Sequence, residues 1–167
     1  MALNLDIQDV LGDMARPNLF EIEISFMGKD FKYKVKASKM PGRNIGPIAV
    51  SYQNRKINLA GDIKFENWAC TVYNDETQLV RQQFLDWSSL CHASGREITG
   101  DKPENYKKVG LIRHFARDGK TVTAVEQVTG IWPTTVGDVE LSWDTNDQVE
   151  TFEVTFAIDW AEPVPVV

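Results

Sequence analysis

A chain of 167 residues with 43% hydrophobic and 25% charged residues has the balance of a folded protein with a sizeable core, unlike a disordered or fibrous chain. No apolar run approaches the roughly 20 residues that a membrane-spanning helix needs, and Asp6, Asp9 and Asp13 stand where a signal peptide would be basic, so synthesis in the cytosol is expected. The formal charge of −6 argues against a protein built to grip DNA, which normally displays a basic face.

The chain opens with Ile7, Val10, Leu11 and Met14 at helical spacing, ended by Arg16-Pro17. This segment reads either as a frayed terminal helix or as an arm that docks on a neighbour. From Leu19 the period changes to two. Phe20, Ile22, Ile24 and Phe26 alternate with Glu21, Glu23 and Ser25, and Gly28-Lys29-Asp30 is expected to turn the chain into a partner strand from Phe31 to Ala37. On that second strand Lys32, Lys34 and Lys36 read as the solvent face, as do Glu21 and Glu23 on the first. Met40 to Pro47, with two prolines and two glycines, is expected to be a loop. Ile48, Val50 and Tyr52 begin another alternating run that resumes at Lys56 to Leu59 and turns at Ala60-Gly61-Asp62. A strand from Ile63 to Tyr73 follows, with Trp68, Cys70 and Val72 facing one way.

Asn74 to Cys91 is the long segment with a helical period, where Val80, Phe84, Trp87 and Cys91 form an apolar stripe widened by Leu79 and Leu90. Asn74 is placed to cap it, and Asp75 and Glu76 suit the positive end of the helix dipole. With one apolar face, this helix should lie on the outside of a sheet or barrel. His92 to Lys108 is the longest irregular stretch, and a loop of that length is usually functional or ordered by a partner. Strands return at Val109 to Phe115 and Thr121 to Trp132, with a bend at Pro133. Val139, Leu141 and Trp143 suggest a short strand, and Phe152, Val154, Phe156, Ile158 and Trp160 a final one, ended by Pro163 and Pro165.

The pattern gives a mainly β chain with one substantial helix, about residues 75–91, and no linker to divide it. Little in it points to chemistry. His92 and His114 accompany no nucleophile motif, and no glycine-rich phosphate loop is present. Cys70 and Cys91 lack metal or redox spacing and read as small buried apolar residues. No catalytic residue, cofactor or metal is expected.

Several separated blocks carry a resemblance. They are Ala15 to Glu21; Asn54 to Asn58 with Ala60-Gly61-Asp62 and Asn74-Asp75-Glu76; and Glu97 to Gly100 with Lys102-Pro103 and Tyr106-Lys107-Lys108. Trp132-Pro133-Thr134, Val136-Gly137, Trp143-Asp144 and Thr151 to Thr155 continue the series. In this order and spacing the chain resembles the tail tube proteins of contractile-tailed bacteriophages, which are related in fold to the type VI secretion tube protein.

The resemblance implies a β-sandwich or barrel-like tail-tube fold with a flanking helix, in one tail tube domain over 1–167 with an N-terminal arm at 1–16 and a short tail at 161–167. It further implies a structural virion protein, made in the host cytoplasm, whose hexameric rings stack into the inner tail tube through which viral DNA is ejected. The implied partners are further copies of the chain, the tail sheath protein, and baseplate and tail terminator proteins. DNA would pass through the lumen without specific binding, and no membrane is involved. A baseplate tube initiator of the same fold, or a type VI secretion tube protein, are the alternatives.

A ring needs two different faces of the subunit to meet and close, and stacking repeats a second such contact without closure. Exposure and irregularity select Ile7, Val10, Leu11 and Met14 of the arm, and Pro41, Gly42, Arg43, Asn44, Ile45 and Pro47 of the proline-glycine segment, for stacking contacts. Glu97, Ile98, Lys102 and Tyr106 are selected for contacts around the ring. A lumen lined with carboxylates would repel DNA phosphates and let the duplex slide.

Overall fold

The computed structural model describes residues 12–93, 95 and 98–166. Among these, nine strands and one long helix are laid out in chain order. They are β1 (Phe20–Ile24), a 3-10 turn (Lys29–Tyr33), β2 (Val35–Ser38), β3 (Arg43–Tyr52), β4 (Arg55–Phe65) and β5 (Trp68–Tyr73). After these come the helix α1 (Leu79–Cys91), the short α2 (Pro103–Tyr106), β6 (Lys108–Phe115), β7 (Val122–Val136), β8 (Thr151–Ala157) and β9 (Trp160–Val164).

Seven strands form one antiparallel sheet in the order β1-β6-β7-β8-β5-β2, with β9 added to β7; β3 and β4 pair with each other as a separate two-stranded ribbon. The 15-residue β7 holds the large sheet together. Its first part pairs with β6 and β9, and its end, from Trp132 to Val136, pairs with β8. The hand-over lies beside Gly130, whose φ of +68° is open to glycine and strained for other residues; a side chain there would also strike the Asp159 carboxylate. This corner folds the sheet around its core.

The core is aromatic. Phe84 and Trp87 of α1 are fully buried, with Phe84 packed edge-on to Phe31 at 5.6 Å and Phe152 at 6.0 Å, and Trp87 against Phe156 at 5.7 Å. Trp68, Cys70 and Val72 of β5 point into the same core, as their alternation indicated. The helix packs against β7 by one face and leaves the other in solvent, as its single apolar stripe required.

Several local expectations are corrected. β1 and β2 do not form a hairpin: Lys29–Tyr33 coils into a 3-10 turn that buries Phe31, and the two strands end at opposite edges of the sheet path. Lys32 therefore belongs to the turn, and Lys34 donates to Asp75 Oδ2 at 3.0 Å. Glu21 and Glu23 are half-buried and both accept from Arg113 Nη1, at 3.0 and 2.8 Å. The helix begins at Leu79, later than expected. Asn74 is buried and donates to Gln78 Oε1 at 2.6 Å and to Glu150 Oε1, so its side chain holds the incoming chain and does not cap the first turn. Asp75 takes part of the capping role, accepting from the Val80 N–H at 3.4 Å.

Residues 43–47 are strand, not loop. A two-stranded ribbon has a free edge on each strand, so Pro47 needs no ladder partner for its missing N–H, and a register shift between Ile45 and Pro47 absorbs the irregularity. Gly61 sits at this shift because a Cβ there would lie 2.6 Å from the Gly46 carbonyl oxygen. The expected strand from Ile63 to Tyr73 is broken at Glu66-Asn67 into β4 and β5. β7 runs through Pro133 by way of a second register shift. The expected final strand is two strands, and Pro163 pairs opposite Glu126 within β9, where it had been expected to stop the chain. Residues 139–143 form no strand. Cys91 is only partly buried.

Candidate assembly surfaces

The β3–β4 ribbon is the largest departure from a closed monomer. Ten residues of strand extend it roughly 30 Å at about 3.3 Å per residue. Directly opposite residues share a face, so the pairs Ile48↔Leu59, Val50↔Ile57 and Tyr52↔Arg55 form one face, while Ala49↔Asn58 and Ser51↔Lys56 form the other. The first face is apolar and uncovered: Ile48, Val50, Tyr52, Ile57 and Leu59 are each between 43% and 65% exposed. A half-buried strand pattern of this kind normally has a core beneath it, and here no core of the described residues covers it. Gln53 and Asn54, both at positive φ, make the two-residue turn at the tip.

A second surface is the connection between β7 and β8. It is pinned at both ends. The Gly137 N–H donates to the Glu153 carbonyl at 2.7 Å and Arg81 donates to the Gly137 carbonyl at 2.8 Å. At the other end Glu150 accepts from Asn74 and, at 2.9 Å, from Gln78 Nε2. These hydrogen bonds to its charged form hold the Glu150 carboxyl below its ordinary range. Between the pins, Leu141 is 85% and Trp143 is 97% exposed.

A third surface is an apolar cleft of about 510 Å³ at the other end of β7, lined by Met14, Arg16, Met40, Phe115, Arg117 and Thr123. Nearby, the Trp68 indole N–H donates to Ser38 Oγ at 2.8 Å, and Ser38 Oγ lies 3.3 Å from Cys70 Sγ. Burial pushes the Cys70 thiol up to about 12, against the smaller opposing effect of the Ser38 hydrogen bond. Burial also raises the Glu126 carboxyl, which His114 opposes. Among the described residues, no group of three or more His, Cys, Asp and Glu side chains is placed to hold a metal ion.

The residues selected from sequence are distributed over these surfaces. Arg43, Asn44, Ile45 and Pro47 lie in β3, directly after Pro41 and Gly42. Met14 lines the cleft. Ile98 is 94% exposed and Lys102 precedes α2, also in solvent. Tyr106 is engaged within the chain, its carbonyl accepting from the Trp87 indole N–H at 2.7 Å and its ring edge-on to Trp132 at 6.1 Å. Ile7, Val10, Leu11 and Glu97 lie outside the described residues. Not selected from sequence, yet exposed and apolar in the structure, are Ile48, Val50, Tyr52, Ile57 and Leu59, together with Leu141 and Trp143. The signal available for the ribbon was a run of apolar alternation on both sides of Gln53-Asn54 with basic residues at its tip.

The sequence matches the phage tail tube protein family over residues 2–160. The chain belongs to the phage tail tube protein family. It is 50% identical to the tail tube protein gp19 of Enterobacteria phage T4 over 151 residues, which cover 90% of this chain and 93% of that protein. Among solved structures, the fold is shared with the sheath/tube terminator of an extracellular contractile injection system, PVC, at a TM-score of 0.71 and 13% identity, covering 93% of this chain and 99% of that one. A type six secretion system protein superposes at a TM-score of 0.51 and 7% identity, covering 86% of this chain and 81% of that one. As a tail tube protein, the chain is a structural subunit of the inner tail tube of a contractile-tailed phage and acts in the virion, not as an enzyme.

Proposed function

We propose that this tail tube protein closes into hexameric rings that stack as a hollow tube within the tail sheath, and that viral DNA passes through the lumen on ejection. The whole chain acts as one tube-forming unit, with baseplate and tail terminator proteins at the ends of the stack. The observation that carries the reading is the β3–β4 ribbon, whose apolar face is left exposed by the described residues. Such a face is stable in water only at a cost, and a second copy removes that cost by covering it. The family match supplies the kind of assembly, and the fold shared with a sheath/tube terminator agrees with a sheath around the tube.

The net charge of −6 suits the lumen. Carboxylates facing the duplex would repel its phosphates and let it slide, whereas a basic wall would retain it. Negative-stain electron microscopy of the purified protein, with its mass in solution over a range of concentrations, tests the assembly. Rings with a central hole or tubes of uniform width are expected, spontaneously or on added tail baseplates. Monomers that add to no baseplate would overturn the reading.

A further inference from the structure

The ribbon's uncovered face needs a specific occupant, and the chain itself offers one with matching chemistry. From Lys39 to Glu66 the chain carries Lys39, Arg43, Arg55, Lys56 and Lys64 against Asp62 and Glu66, a basic excess in an acidic protein. Two of these cations, Arg55 and Lys56, stand at the ribbon tip beside Tyr52, and Arg55 shares the apolar face. The pinned β7–β8 connection is the opposite in charge. From Asp138 to Glu150 it holds Asp138, Glu140, Asp144, Asp147 and Glu150 and no basic residue. Beneath it lies a mainly polar cavity of about 490 Å³, lined by Asp138, Glu140, Glu150 and Glu153 together with Thr71 and Gln148.

We infer that the tip of the β3–β4 ribbon of one subunit seats in this acidic cavity of the next. Arg55 and Lys56 meet the carboxylates of the cavity, and Leu141 and Trp143 beside it close over Ile57 and Val50. The ribbon is ordered along its length and the acidic loop is fixed at both ends, by Gly137 and Glu150, which limits the freedom lost when they meet. Burying cations beside carboxylates also selects against wrong registers, which leave like charges or unpaired charges in contact.

The two surfaces belong to different parts of the fold. The ribbon springs from the Trp68 end of β5 and the acidic loop enters at the Tyr73 end, where Tyr73 pairs with Thr151. The contact is therefore heterologous, of the sort that propagates from copy to copy.

The inference rests on the tube reading above, and reciprocal charge reversal tests it separately. Arg55→Glu/Lys56→Glu and Asp138→Lys/Glu140→Lys change exposed side chains, and circular dichroism melting of each verifies the fold. Wild-type tubes grown on tail baseplates are the control for the tube reading. If wild type grows tubes, each charge-reversed pair should reduce assembly at least tenfold, and the chain carrying all four substitutions should recover most of it. Failure of the four-fold variant to recover, or wild-type assembly by either pair alone, would overturn this pairing while leaving the tube reading intact. Wild type that forms no tubes would fail the tube reading and the pairing with it.

Discussion

Replacing Ile57 and Leu59 by Thr removes apolar surface from the ribbon while placing at both positions a β-branched residue suited to a strand. Each side chain is 54% exposed in the free subunit. Full burial of an Ile or Leu is worth about 1.5–3 kcal/mol, so the half still in water holds about 1 kcal/mol per residue that a neighbour releases on covering it. The double substitution should weaken each subunit contact by about 2 kcal/mol, or about 30-fold. The ribbon pairs only with itself among the described residues, so the folded core should not register the change beyond the ~0.5 kcal/mol typical of surface substitutions. The assay is the free-subunit concentration at which tubes stop growing from baseplates, measured by sedimentation, beside a thermal melt of the subunit. A 30-fold rise in that concentration with an unchanged melt is expected. Tubes that grow at the native concentration from a correctly folded double variant would refute the idea that this face is an interface.

Other expectations concern the subunit itself. Phe84→Ala empties a fully buried site among Phe31, Phe152 and Phe156 and should cost about 3–5 kcal/mol, lowering the melting temperature by roughly 10 °C, which calorimetry reads directly. Ser38→Ala strips the Trp68 indole N–H of its acceptor in a buried place and should cost about 1–3 kcal/mol by urea unfolding, with Ser38→Thr milder. Cys70 should resist alkylation in the native protein and react once unfolded. Because its folded thiol is pushed up to about 12 from an ordinary 9.0, its contribution to stability is intact below 9.0 and lost as pH climbs through that window. Glu150 behaves in the opposite sense. Its carboxyl is held below the ordinary 4.5, so the stability it adds is present above 4.5 and disappears as pH falls through its folded value; Glu150→Gln should flatten the acid limb of the stability profile.

What the amino-acid sequence determined by itself is local and periodic. The stripe of Val80, Phe84 and Trp87 commits α1 to a helix with one buried face, and the alternation of Trp68, Cys70 and Val72 commits β5 to a core-facing strand, because side-chain direction follows backbone period. Separated blocks in a shared order were enough to reveal the tail tube family. Pairing was decided only by tertiary structure. β1 and β2, adjacent in the chain, went to opposite sheet edges because Phe31 gains more by turning into the core under Phe84 than by extending a hairpin. Asn74 looked like a cap, yet it binds Glu150, 76 residues away, a partner that no local pattern contains. The ribbon and the acidic loop are the sharpest case. Alternation tells which residues share a face, but whether that face meets a core, water or another subunit depends on what the rest of the fold brings near. For Ile48, Val50 and Tyr52, and for Leu141 and Trp143, the described fold brings no cover, and their exposure is visible only in the tertiary structure.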